Sequence, residues 1–553
     1  MRADPISKIK HLKLLNVEDM NSLGSLSYLS NELGYLIWNK YAFDCLPPSF
    51  QPGKLVELNL RGSNIDRLWH GTKPLHNLKR LDLSFSKNLV EMPDLRDALN
   101  LERLALEGCI KLRKINPSLG LLRKLAVLNL TNCINLVSLP KSIFGLTSLQ
   151  YLSVSGCSKL YNNELIDEPR NEENLKKLCL VEAPIHSQST SSLIKKWLVR
   201  WPLDLLYSRA QRDSISYLIP SSATLPYLRE LDLSFCNLVQ IPDAIEKLHC
   251  LEKLNLKGNN FVTLPSLKDL FRLYNLNIQH CKRLKYFPNL PSRTQLPSDV
   301  YSVDLSYSPS VATRFIPDDE VSAGLIVFNC PELVDRERFT SMSVSWMIQI
   351  FQANHQYGCL GPDVESIIPG SEIPRWFNYQ HVSMDNSIVI DASPVMHDNN
   401  WIVVVCCAIF QVREMHSPRK TSDFRVTIPV DVRRDLLMDD SDHMWIFYLT
   451  HEEFIDQCNS TEAPNIGCLK MKMKIQDMED FREYTMKHGQ MDETVFLTKK
   501  HGQMEAKIFP VEVKKYGYRW VSEQDLKLSN STMMHDANLI TGRHKFLAME
   551  KNR

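Results

Sequence analysis

One six-residue pattern constrains this chain more than any other feature. L-x-x-L-x-L occurs as "LVELNL" at Leu55, "LKRLDL" at Leu78, "LERLAL" at Leu101, "LAVLNL" at Leu125 and "LQYLSV" at Leu149. It returns as "LKKLCL" at Leu175, "LRELDL" at Leu228, "LEKLNL" at Leu251 and "LYNLNI" at Leu273. The steps between the first five are 23, 23, 24 and 24 residues, and the last two steps are 23 and 22. An amphipathic helix would sustain a 3.6-residue period, and this pattern does not.

A repeat of about 20–29 residues around this core marks a leucine-rich-repeat solenoid. In the x-L-x-L-x stretch the leucines alternate, so they point to one side of a short strand and enter a shared interior, while the residues between them face outward. No repeat buries its own leucines; stacked neighbours supply the burial. Four of the nine repeats continue with C-x-x-L, at Cys109 and Leu112, Cys133 and Leu136, Cys157 and Leu160, and Cys281 and Leu284. At equivalent positions of successive repeats these cysteines read as small buried hydrophobes rather than disulfide partners or metal ligands. Prolines at Pro93, Pro140, Pro242, Pro265 and Pro288 predict an extended, non-helical return segment.

The pattern breaks between Leu180 and Leu228. The 53 residues between Leu175 and Leu228 fit about two periods, so one degenerate repeat is expected to hide there. The apolar and basic stretch Leu193–Leu206 reads as a helical repeat variant or a loop, ahead of a ligand-contacting insert or a membrane-surface helix. Before Leu55 the spacing is irregular (Leu26, Leu29, Leu33, Leu36), with Trp38, Tyr41, Phe43 and Phe50 to pack that end. No N-terminal cap is evident, which suggests a fragment or a truncated gene product.

The 553 residues exceed one compact core and fit two or three units. With 65 basic against 64 acidic residues, the chain has no global field for nucleic acid or an anionic membrane. No apolar run reaches 18 residues; "WIVVVCCAIF" (Trp401 to Phe410) is too short to span a bilayer. No hydrophobic leader opens the chain, and no CxxC pair occurs among the 14 cysteines. The sequence therefore reads as a cytoplasmic or nuclear protein with reduced thiols. The glycosylation triplets at Asn129, Asn459 and Asn530 are weak against this.

Four segments follow: a solenoid over 1–297, a linker with a terminal cap-like repeat and a helix over 298–363, a strand-rich domain over 364–527, and a disordered tail over 528–553. The cap-like repeat is "LIVFNCPELVD", and the helix is "FTSMSVSWMIQIFQANHQ". Short strands such as "SIVIDAS", "HMWIFYLT" and "CLKMKMKI" then alternate with polar turns. The fold class is an α/β leucine-rich-repeat solenoid, a horseshoe, followed by an antiparallel β-sandwich. "HGQM" recurs at His488 and His501, as exposed loop residues in preference to metal ligands. No phosphate loop, dinucleotide fingerprint or nucleophile elbow appears, "HEEFI" at His451 lacks the second histidine of a zinc-protease helix, and "DDSDH" (Asp439 to His443) reads as a solvated turn. The chain is read as a non-enzyme without cofactor or metal.

A binding surface is better supported. The outward strand positions carry Glu57, Asn59, Arg61, Arg80, Asp82, Ser84, Arg103, Glu107, Tyr151, Glu230, Asp232, Lys253, Asn255, Lys257, Asn275, Asn277 and Gln279, a polar ladder suited to a protein partner. Lys253 and Lys257 are expected on an exposed face, and Trp376 in "PRWF" is expected to be buried.

Three stretches carry a family resemblance. "LSNELGYLIWNKYAFDCLPPSF" with "LVELNLRGSNIDRLWHGTKPLHNLKRLDLSFSKNLVEMPDL" resembles the start of the repeat region in plant TIR-type nucleotide-binding leucine-rich-repeat immune receptors. "IIPGSEIPRWFNYQ" (Ile367 to Gln380) is similar to the opening motif of the C-JID, or post-LRR, domain of those receptors, and "VKKYGYRWVSEQDL" (Val513 to Leu526) to its closing strand. The resemblance implies an intracellular receptor whose repeats and sandwich recognise a pathogen effector; the expected protein partner is such an effector or other receptor-family chains. In the family, nucleotide-driven oligomerisation then brings NAD-cleaving TIR domains together. Neither TIR nor nucleotide-binding motifs occur in these residues, so ATP binding and NAD cleavage do not carry over. A cell-surface receptor ectodomain is the less favoured reading, because it calls for a signal peptide, a span and cap cysteines. A scaffold without immune role is the remaining alternative.

Overall fold

The computed structural model describes residues 6, 9–17, 26–160, 225–291, 322–334, 336–356, 363–384, 387–393, 395, 401–412, 425–428, 441–451, 453–455, 468–475, 511–522 and 524–525. The chain divides into two compact units. The first is Met1–Leu251 with Asn259–Leu270, and the second is Glu252–Gly258 with Phe271–Arg553.

Among the described residues the first unit is a parallel ladder of eight short strands. These are β1 (Leu14–Val17), β2 (Tyr35–Trp38), β3 (Glu57–Asn59), β4 (Arg80–Asp82), β5 (Arg103–Ala105), β6 (Val127–Asn129), β7 (Tyr151–Ser153) and β8 (Glu230–Asp232). From β2 on, the central residues pair one to one through Leu36, Leu58, Leu81, Leu104, Leu128, Leu152 and Leu231. Those leucines are all buried, as are Leu60, Leu83, Leu106, Leu130, Val154 and Leu233 two residues on. The alternation read from the sequence is thus the packing pattern. Burying each such leucine stabilises by roughly 1.5–3 kcal/mol, and only the adjacent repeats supply the burial.

From β2 on, each strand of this unit is followed by a turn through a left-handed residue. Gly62, Gly108 and Gly156 take this position with φ of 70°, 66° and 73°, but Lys40, Phe85, Asn132 and Phe235 hold it too, at 56°, 61°, 57° and 52°. Behind the turn lies the cysteine, which is more than a small hydrophobe. Its thiol donates to a carbonyl of the preceding repeat: Cys109 to Leu83 at 3.3 Å, Cys133 to Leu106 at 3.1 Å and Cys157 to Leu130 at 3.2 Å. Ser86 and Asn259 make the same bond, to Leu60 and Leu233. A small donor is needed here because the carbonyl is buried and has to be satisfied.

Two corrections concern the returns and the insert. Pro140 and Pro242 are extended, as expected, but each opens a 3-10 turn, Lys141–Gly145 and Asp243–Lys247. The fixed φ of proline suits the entry to such a turn. Strand β7 pairs directly with β8, Leu152 opposite Leu231, and Arg229 and Glu230 both donate to the Gln150 carbonyl. No strand position remains between them for the match at Leu175 or for a hidden repeat. Residues 161–224, the Leu175 match and the Leu193–Leu206 stretch among them, lie outside the described residues.

The second unit begins with the same grammar. Strands β9 (Lys253–Asn255), β10 (Asn275–Asn277) and β11 (Ser322–Ile326) are parallel and in register, Leu254 with Leu276 and Leu276 with Leu325. The cap-like repeat is therefore a full member of the ladder. Strands β12 (Asp363–Val364) and β13 (Ser366–Pro369) then run parallel to β11. Gly324, at φ 134°, permits this, because a Cβ there would run into the Glu365 carbonyl. Helix α1 (Arg336–Gln356) lies against β11 and β13 and buries Phe339, Ser343, Trp346, Met347 and Ile350 on one face.

From β13 the sheet turns antiparallel. Strand β13 pairs β18 (His443–Thr450), which pairs β16 (Trp401–Val412), which pairs β20 (Val511–Ser522), which pairs β14 (Tyr379–Val382). A smaller sheet joins β15 (Ser387–Asp391) to β19 (Cys468–Ile475) antiparallel and β19 to β17 (Arg425–Ile428) parallel. Both sheets are mixed, where the sequence reading expected antiparallel pairing throughout. Both feed one apolar core through Ile388, Ile390 and Leu469 on one side and Val404, Phe410, Trp445 and Tyr518 on the other. The parallel step arises because β13 continues a solenoid ladder, whose connections return each strand in the same direction. The HGQM histidines and the tail beyond 528 lie outside the described residues.

Candidate functional site

The outward side of each ladder strand presents three positions, and they do different work. The second is largely occupied by the fold. The Asp82 Oδ1 accepts from the Ser84 amide at 2.8 Å, Asp232 from Ser234 at 2.8 Å, Asn255 from Lys257 at 3.2 Å and Asn277 from Gln279 at 3.2 Å. Asn59 and Asn129 do the same to Arg61 and Thr131. An Asx side chain bonding the amide two residues on fixes the turn that follows the strand. Asp82, Asp232, Asn255 and Asn277, expected as contact residues, are thus turn-forming first.

Burial alters the picture further. Asp82 and Gln279 are buried, at 5% and 3% exposure, where the ladder reading placed them in solvent. Lys253 and Lys257 are half-buried, not exposed. Strands about 4.8 Å apart crowd each side chain with its neighbours, and a lysine stem lies along them. Glu230, Asn275, Tyr151 and Glu107 are half-buried also.

The first position of β3–β5 holds the strongest electrostatics. Arg80 Nε and Nη2 donate to the Glu57 Oε2, at 2.9 and 2.7 Å, with Glu57 nearly fully covered. Arg103 stands opposite Arg80 in the ladder. Burial, and then the neighbouring Arg80 charge, push its guanidinium below its ordinary value. Burial pushes the Asp82 carboxyl above the usual range, against the pull of the Ser84 bonds and the Arg61 charge. Arg61 lies over the Phe85 ring, 4.3 Å from its centre. The sequence reading passed over Phe85, whose signal is a large aromatic at a position where neighbouring repeats have glycine.

The buried cysteines offer no reactive centre. Burial pushes the Cys157 thiol up to about 12, and it raises Cys109 and Cys133 as well. What this face offers is hydrogen bonding, charge pairing and aromatic contact.

In the second unit the two end motifs form one clamp. Trp376 is half-buried rather than buried; the buried ring is Phe377. Arg519 explains why: its guanidinium covers Trp376 at 4.9 Å, Nη1 donates to the Trp376 carbonyl at 3.2 Å, and Nη2 pairs with Asp525 at 3.2 Å. Lys515 bonds Glu372 at 2.7 Å, and the Tyr379 and Tyr518 rings stack at 4.8 Å. Gly517 lets the opening motif approach, since a Cβ there would lie 2.8 Å from the Tyr379 carbonyl.

The comparisons with known proteins match this layout. The C-JID domain family matches residues 368–527, the clamp included, and the Leucine Rich Repeat family matches residues 54–73. "Disease resistance-like protein DSC1" of Arabidopsis thaliana is 29% identical over 71% of this chain and 38% of its own length. "TMV resistance protein N" of Nicotiana glutinosa is 29% identical over 52% of this chain and 31% of its own. "Disease resistance protein RML1B" of Arabidopsis thaliana is 32% identical over 66% of this chain and 30% of its own. The chain spans only about a third of the length of these relatives. The chain thus carries leucine-rich repeats leading into a C-JID domain and is similar over these segments to plant disease resistance proteins.

Proposed function

We propose that the chain is the recognition part of a plant immune receptor, acting in defence by binding a protein of pathogen origin and carrying out no catalysis itself. The observation that supports this most is the polar, half-buried outward face of the ladder strands, joined in the second unit to the C-JID sheet through β11 and β13. Extended faces of this kind suit macromolecular partners. The reading places the protein in the cytoplasm or nucleus. No helix among the described residues is long and apolar enough to cross a membrane.

The test is quantitative capture on the immobilised full chain from healthy and from infected leaf tissue, followed by reconstitution of each hit with purified proteins. A pathogen-encoded protein that binds directly is the expected result. Recovery of host housekeeping proteins alone, equal in both tissues, would instead favour a scaffold.

A further inference from the structure

Three arginines stand at outward positions of adjacent repeats of the first unit, and they differ in how the fold engages them. Arg80 is committed to Glu57. Arg103, directly across from it, has an Nη1 that is buried without a hydrogen-bond partner. A half-buried guanidinium with one covered, unbonded nitrogen beside a like charge, eased only in part by Glu102, is a poor arrangement for the fold alone. Arg61 lies four residues along the strand direction from Glu57, roughly 13 Å, with its guanidinium over Phe85. Phe85 keeps φ at 61° between repeats that use Gly62 and Gly108, so it carries strain that a glycine would not. Its ring is only half-buried, so full burial does not offset that strain. Strain retained at a surface aromatic points to use.

We propose that the β3–β5 face docks carboxylate side chains of a protein partner, one at Arg103 beside Arg80 and a second at Arg61 on its Phe85 platform. Arginine forks match carboxylates, and arginine and aromatic residues dominate the energetics of interfaces. Between the two points sits Asp82, whose Oδ2 is buried without a partner and whose raised carboxyl lessens repulsion of an incoming anion. Glu57 and Glu107 are interleaved with the arginines, so no continuous basic field exists for a nucleic acid or a phospholipid surface. The proposal rests on the protein-recognition reading and names the chemistry of its partner.

The test uses the full chain and two labelled peptides of equal length, one alternating Glu and Ser, the other Lys and Ser. Fluorescence anisotropy at low salt should show saturable binding of the Glu peptide alone. Arg103→Ala and Arg61→Ala should each weaken it by about tenfold, and Arg103→Lys should not restore it, because an ammonium lacks the fork. Melting temperature separates a binding role from a structural one: Arg103→Ala should leave it unchanged or raise it by about 2 °C. The proposal fails if the variants bind as the wild type does, if Arg103→Ala lowers the melting temperature, or if inorganic phosphate displaces the peptide as well as free glutamate peptide does. None of these outcomes alters the tissue-capture result, which stands or falls separately.

Discussion

Leu104→Ala probes the leucine spine most directly. Leu104 is fully buried at the centre of β5, between Leu81 and Leu128. The change removes three carbons, about 2.4 kcal/mol at ~0.8 per methylene. The backbone ladder holds the flanking strands: Leu83 donates to the Ala105 carbonyl at 2.9 Å and Leu106 to Asn129 at 2.8 Å. The site therefore collapses little, and the residual cavity adds up to about 2 kcal/mol. The expected total is about 3–5 kcal/mol; Leu104→Asp should exceed it and melt several neighbouring repeats. Hydrogen exchange read by mass spectrometry checks both size and place. Protection should fall most in the peptides of β4, β5 and β6, because each repeat contacts only its neighbours. It should persist in β16 and β20. Equal loss in β16 and β20, or unchanged protection around β5, would refute the idea that these leucines form a locally shared spine.

Three further perturbations follow from the same contacts. Cys133→Val removes the thiol bond to the Leu106 carbonyl and should lower stability by about 0.5–1.5 kcal/mol in urea unfolding, whereas a purely apolar role predicts no loss. Asp82→Asn keeps the acceptor for the Ser84 amide and removes a charge that burial disfavours. The folded carboxyl titrates above its unfolded value, so its stabilising protonation is present at low pH and lost as pH rises. The variant should exceed wild type by on the order of 1 kcal/mol at pH 7, and the gap should close toward about pH 4; a less stable variant at neutral pH would contradict this. Gly517→Ala sets a Cβ 2.8 Å from the Tyr379 carbonyl and 3.0 Å from Ile373, and should cost about 1–3 kcal/mol with exchange protection lost first in β14.

Much of this was legible because a repeat writes the same local instruction many times. The 23- and 24-residue steps identified the strands, the leucine register and the buried cysteines, since each depends only on a repeat and its neighbour. The contact residues were less legible. Whether Asp82 serves a partner or its own turn depends on where the Ser84 amide points, and outward alternation says nothing of that. Trp376 was misplaced for a similar reason, as the arginine that covers it lies 143 residues away.

By itself the sequence determined the apolar period, and with it a parallel ladder of short strands, because leucines at fixed spacing can be buried only by stacking. Only the tertiary structure decided that β7 meets β8 across the Leu175 match, that β11 hands the ladder on to a mixed sheet, and which outward side chains are spent on turns. Those outcomes depend on the path the chain takes between distant segments, and on backbone groups that must find partners wherever that path leaves them.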